Sequence, residues 1–175
     1  MSGDIAIMEL RVRDVFGPGV ALGPYSRFGW SHPGPLLYWT VAPLYEALRG
    51  ASRALPIMAG SINLASGIAV SIILRRVLGP LFALSALPLV LLVAGLGPHH
   101  WTSLWNPDIP IMPLALFVTV MWQSTLEQRP SQPFVAIVVG SFIVQSHVGF
   151  MLPVISVAAV AVVLRRLAST HTHTH

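Results

Sequence analysis

The chain has 175 residues, 54% of them hydrophobic and only 9% charged, with a mean hydropathy of +0.73. A soluble domain carries about a quarter charged residues, so this surface is not built for water, and the composition is that of a chain in lipid. Every basic residue is an arginine, and the excess of +4 is too small and too scattered for a nucleic-acid footprint; with no cysteine, disulfide frameworks and thiolate metal sites are excluded.

At the start, Asp4, Glu9, Arg11, Arg13 and Asp14 stand where a signal peptide would be basic and then apolar. Insertion is therefore expected to depend on internal segments or on sequence further upstream. Ile5, Met8, Val12 and Val15 recur at helical spacing and predict a short amphipathic helix lying at the interface, opened by Asp4 and ended by Gly17-Pro18-Gly19. Gly23 to Trp39 follows as a proline- and glycine-braced loop carrying Tyr25, Ser26, Arg27, Trp30 and His32, the composition of a polar loop on a membrane surface. Pro35 to Leu48 is too short to span and holds Tyr38, Trp39, Pro43, Tyr45 and Glu46, so a second interfacial helix is expected, closed by Arg49-Gly50.

Leu55 to Leu74 has the length of one spanning helix and no charge, with Arg75-Arg76 expected to stop it. A tight Arg-Arg-Val turn then leads into a second span over Leu78 to Leu96, and the arginine pair marks the cytoplasmic side. Gly97 to Asp108 falls on the opposite face. Ile109 to Trp122 returns, short and broken by Pro110 and Pro113, and Thr125 to Gln132 turns again. Phe134 to Leu164 is too long for one span and is split by Gln145-Ser146-His147-Val148-Gly149 into a rising and a descending helix, which brings Arg165-Arg166 to the side of Arg75-Arg76. The Thr-His alternation from Ser169 to His175 reads as a disordered tail. The predicted fold is all-α: a polytopic transmembrane helical bundle over 55–166, with interfacial helices in a first extracytoplasmic loop over 1–54 and a tail over 167–175.

A small acidic motif, a loop ending in His32-Pro33-Gly34-Pro35-Leu36-Leu37-Tyr38-Trp39, an interfacial helix and a hairpin closed by two arginines resemble the front half of the GT-C membrane glycosyltransferases. Relatives with that layout include protein mannosyltransferases and aminoarabinose transferases. The resemblance runs over most of residues 3 to 166, and order and topology carry it more than any single motif. It lacks the family's first transmembrane helix, its later helices and its C-terminal domain, so the expectation is an N-terminal fragment of a longer polypeptide or a reduced relative. It implies a bacterial plasma-membrane enzyme that moves a sugar from a polyprenyl-phosphate donor to an acceptor on the extracytoplasmic face, with Asp4 as catalytic base.

Each candidate residue carries two readings. Asp4 is a base or a helix cap. Arg27 and His32 bind the donor phosphate or anchor the loop to lipid headgroups. Glu9 is a solvated helix-face charge before it is a sugar or metal contact. Asn106 and Asp108 are substrate contacts or a turn and helix start. Gln145 and His147 lie deep in an apolar run, where polar groups are expensive; they are phosphate donors or interhelical hydrogen bonds. Tyr25, Trp30 and Trp39 fit an aromatic belt better than sugar stacking. His99-His100 lacks a spaced carboxylate and reads as a wet interfacial pair; the proposed chemistry leaves room for a divalent metal, for which the sequence offers no convincing ligand set. The rival function is a non-catalytic membrane module, transporter-like or partner-binding.

Overall fold

A computed structural model of the chain describes residues 3–26, 28–82, 90–91, 94–95, 97, 99–127 and 129–172. These are predominantly helical. Helix α1 (Gly3–Asp14) buries Met8 and Val12 and rests Ile5 against the same core, the face its spacing predicts, and Val15 packs there from the turn just beyond the helix. A two-stranded antiparallel hairpin, β1 (Tyr25–Ser26) with β2 (Trp30–Ser31), is the only sheet among the described residues; Gly29, at φ 85°, turns it. Its stem continues as Gly23 N–H donating to His32 O and His32 N–H donating to Pro24 O.

Helix α2 (Leu36–Ala47), where a helix is expected, lies at the centre of the packed core, with Leu37, Tyr38, Val41, Ala42 and Tyr45 buried. It carries Pro43 inside it and ends through two left-handed residues, Arg49 and Gly50. The core joins α1, α2, the first turns of α3 (Ala54–Leu78) and the turn residues Leu104 and Ile109.

Helix α3 runs straight through Arg75 and Arg76, which occupy its last turn, where the negative end of the helix dipole favours cations. The expected Arg-Arg-Val turn is therefore absent, and the break comes at Gly79–Leu81, a 3-10 turn whose glycine adopts φ 54° ahead of Pro80. Most of the expected second span, Leu78 to Leu96, lies outside the described residues. Helix α4 (Ile111–Leu126) is not broken by its prolines: Pro110 caps it and Pro113 falls in its first turn, where a backbone N–H has no helical partner to lose. Helices α5 (Gln132–Ser146) and α6 (Met151–Thr172) part at His147 and the 3-10 turn Val148–Phe150, where the polar break predicts it. Helix α6 continues to Thr172, four residues into the tail that reads as disordered; residues 173–175 lie outside the described residues.

Several helices turn large apolar side chains outward and bury polar ones beside apolar ones such as Val70 and Phe117. On α3, Ile57, Leu64, Ile68 and Ile72 point outward while Asn63 and Ser66 are buried; on α4, Val118 and Trp122 are outside and Thr119, Gln123 and Ser124 inside. Residues 54–81 and 148–168 are long and apolar enough to cross a membrane, and only 22% and 6% of their apolar windows are buried. The core helix of a soluble protein shows the reverse. Helices α4 and α5, with 16 and 15 residues, are shorter than a straight span requires.

Candidate functional site

Five segments that are distant in sequence meet at one end of the bundle. Asp4 and Ile7 of α1, Ser26 and His32 of the hairpin, Tyr38 of α2, Asn106 of the 104–109 turn and His147 of the α5–α6 break line a single cavity of ≈ 390 Å³. That volume lies in the range of small-ligand pockets. The opposite end carries Arg76, Arg129 and Arg165: Arg76 and Arg129 line one hollow together with Gln132, and Arg165 lines a groove that Gln132 also borders. The 15 residues of α5 separate the two ends, which is about 22 Å at the α-helical rise.

Glycine makes the meeting of loop and break geometrically available. Gly34, at φ +78°, sits against the Gln145 side chain, in space that a Cβ would occupy. A Cβ on Gly23 would stand 2.7 Å from Gly34 O and 2.8 Å from Gln145 O. The contact is then locked by Gln145 Oε1, which accepts from Leu36 N–H at 3.2 Å and so satisfies a donor at the open N-terminus of α2, while Nε2 donates to Ser141 Oγ at 2.8 Å.

His32 is the hub. It is 2% exposed, edge-on to Trp30 with ring centroids 4.9 Å apart and tilted against His147 at 4.7 Å. Its Nδ1 accepts from Val148 N–H at 3.0 Å. The neutral ring therefore carries its proton on Nε2, which lies 2.9 Å from the Asn106 carboxamide. Asn106 must turn its oxygen to that proton, and its two N–H donors are then free for a ligand. Burial, with the nearby His147 adding to it, lowers the His32 pKa to about 4, so the ring is a neutral donor at pH 7.

His147 accepts from Gly149 N–H on Nδ1 at 3.1 Å, which leaves an Nε2 proton to offer; burial lowers its pKa as well. Tyr38 is pushed up to about 12 by burial, opposed by Arg11, and keeps its phenol proton at any physiological pH. Asp4 is exposed, lies in the first turn of α1 and lines both this cavity and a second of ≈ 500 Å³ bordered by His99 and Thr102; Trp105 is shared by the two as well.

Of the predicted site residues, Asp4, His32, Asn106 and His147 are brought together. Glu9, Gln145 and Asp108 are not. Glu9 is partly buried, and its Oε1 accepts from Tyr45 Oη at 3.2 Å and Ser52 Oγ at 2.7 Å, tying α1 to α2 and to the turn before α3. Gln145 is used up inside the protein, and Asp108 is buried with an oxygen 3.1 Å from His100 Nδ1. Arg27 lies outside the described residues. Among the described residues no group of three His, Asp or Glu side chains is placed to hold a metal ion.

Ser26 and Tyr38 line the cavity without having been singled out as site residues. The available signal was their position inside the Gly23 to Trp39 segment that also supplies His32. No family model matches the chain, and neither a curated protein nor a solved structure shows significant similarity to it.

Proposed function

We propose that this chain is a multi-pass membrane protein of GT-C type, built to bind a polyprenyl-phosphate sugar and to transfer the sugar to an acceptor on the face opposite Arg76, Arg129 and Arg165. The observation that carries the reading is the place of Asp4 at the junction of two cavities, one lined by His32, Asn106 and His147 and the other by His99 and Thr102. The first suits the donor's sugar and phosphate and the second an approaching hydroxyl.

The acceptor oxygen attacks the anomeric carbon as the bond to the phosphate oxygen breaks, with inversion. Asp4 takes the hydroxyl proton, and the polyprenyl phosphate leaves with the electron pair. The developing charge on that phosphate meets N–H donors from Asn106 and His147. Both histidines are neutral, so they serve by hydrogen bonding; a cation, if the reaction uses one from this loop, falls to Arg27. The outward apolar faces of α3 and α6 support placement in lipid, and the arginines next to short connections, Arg75 and Arg76 at the end of α3 and Arg129 before α5, support the cytoplasmic orientation of that end.

A second reading has its own support. Both ring nitrogens of His32 are engaged within the protein, as in a site that binds a lipid-linked sugar or a partner without turnover. Transfer from a radiolabelled polyprenyl-phosphate sugar by the chain in nanodiscs separates the two. Turnover that falls at least a hundredfold in Asp4→Asn supports catalysis; binding without turnover in both proteins selects the second reading.

A further inference from the structure

The groove between α4, α5 and α6 has no part in the chemistry above. It measures ≈ 530 Å³ and is walled by Phe117, Met121, Ile137, Val144, Val154 and Val162. Gly140 opens it: a Cβ there would stand 3.1 Å from the Phe117 ring. Along α5 the wall runs from Pro133 to Val144, about 17 Å at the helical rise and close to half of a ~30 Å hydrocarbon core.

One end of this apolar trough is polar and cationic. Arg165 lines it there, as does Gln132, which is 5% exposed. Gln132 Oε1 accepts from Arg129 N–H at 3.1 Å, which fixes the amide: turning it over would set N–H against N–H. Its Nε2 is consequently a buried donor with no hydrogen-bond partner among the described residues. Such a group is costly unless a ligand accepts from it. Arg76 and Arg129 border the adjoining hollow, and the neighbouring carboxylate, Glu127, is bound to Arg129 Nε at 2.7 Å.

We propose that this groove holds one acyl chain of an anionic membrane phospholipid, with the lipid's phosphate between Arg165 and the Gln132 amide. A cationic rim, a donor awaiting an acceptor and an apolar channel one leaflet deep match an amphiphile with an anionic head. The inference rests on the membrane placement proposed above and not on sugar transfer, so lost lipid selectivity with intact turnover would overturn it alone.

The test is native mass spectrometry of the whole chain released from nanodiscs of equal phosphatidylglycerol and phosphatidylcholine. One phosphatidylglycerol is expected to stay bound per chain, favoured about tenfold over phosphatidylcholine, as one charge-assisted contact allows. Arg165→Gln should cut that preference to about twofold or less, and Gln132→Leu should weaken it with the guanidinium kept. Ala158→Trp, which plugs the groove away from the charged end, should abolish retention, and millimolar glycerophosphate should not displace the lipid. Equal retention of both lipids, retention untouched by Ala158→Trp, displacement by glycerophosphate, or dimers without lipid would each overturn the proposal.

Discussion

His32 and His147 face each other at 4.7 Å between ring centroids, brought together by the hairpin stem and the α5–α6 break. Protonating both would set two cations side by side with little water between them. The His32 pKa is lowered to about 4 and that of His147 is lowered too. Between pH 4 and about 6.5 the unfolded chain thus binds more protons than the native one. Stability is fully present above about pH 6.5 and is lost as the pH falls toward 4. The loss for His32, discounted for solvent screening, is on the order of 1–2 kcal/mol. Thermal melts of the detergent-solubilised chain across pH 4 to 8 should show this slope, and His32→Gln should flatten it.

Gly34→Ala is expected to destabilise the chain by about 1–3 kcal/mol, because it combines a left-handed backbone with a Cβ placed on Gln145. Gln145→Ala alone should also destabilise, by freeing Leu36 N–H. Adding Gln145→Ala to Gly34→Ala should restore part of the loss. A double-mutant cycle with additive effects would mean the two residues do not meet.

Glu9→Ala separates support from substrate contact. Its carboxylate holds Tyr45 and Ser52. Removal should lower stability by about 1–2 kcal/mol. It should leave the KM for a lipid-linked sugar unchanged at temperatures where the variant remains folded. A selective rise in KM would return Glu9 to the site.

The outward faces predict a response opposite to that of a soluble surface. Ile155 and Val160 are exposed on α6. In lipid, Arg at either position should hinder insertion by about 2.5–3.5 kcal/mol near the bilayer centre. In water the same change would improve solubility. Membrane integration of α6 in a microsome assay reads the difference.

Local patterns made some of this legible in the sequence. Met8 and Val12 fall where their spacing puts them, and the α5–α6 break sits on the polar residues that interrupt an apolar run. Arg75 and Arg76 misled because an arginine pair at a helix end satisfies the dipole and reaches outward on long stems, so it need not stop the backbone. Gly79 and Pro80 do. Pro110 and Pro113 misled likewise, since a proline's harm depends on whether it falls inside the helix or at its first turn. The fates of Glu9, Gln145 and Asp108 were beyond reach of spacing: the Gln145–Leu36 bond, for example, closes across 109 residues. His32, Asn106 and His147 were legible as polar groups in the loops and break of an apolar chain and Asp4 as the acid that opens a helix, but the same signals also marked Asp108 and Gln145, which the packing uses elsewhere.

The chain has no cysteine, so a single introduced thiol reports without background. Phe28 is exposed and lines the site cavity. Maleimide labelling of Phe28→Cys in nanodiscs, with and without a polyprenyl-phosphate sugar, asks directly whether this cavity is where that donor binds. Labelling slowed at least tenfold by the lipid-linked sugar, and not by the free polyprenol, is the expected result; equal rates with and without it would contradict a donor site here.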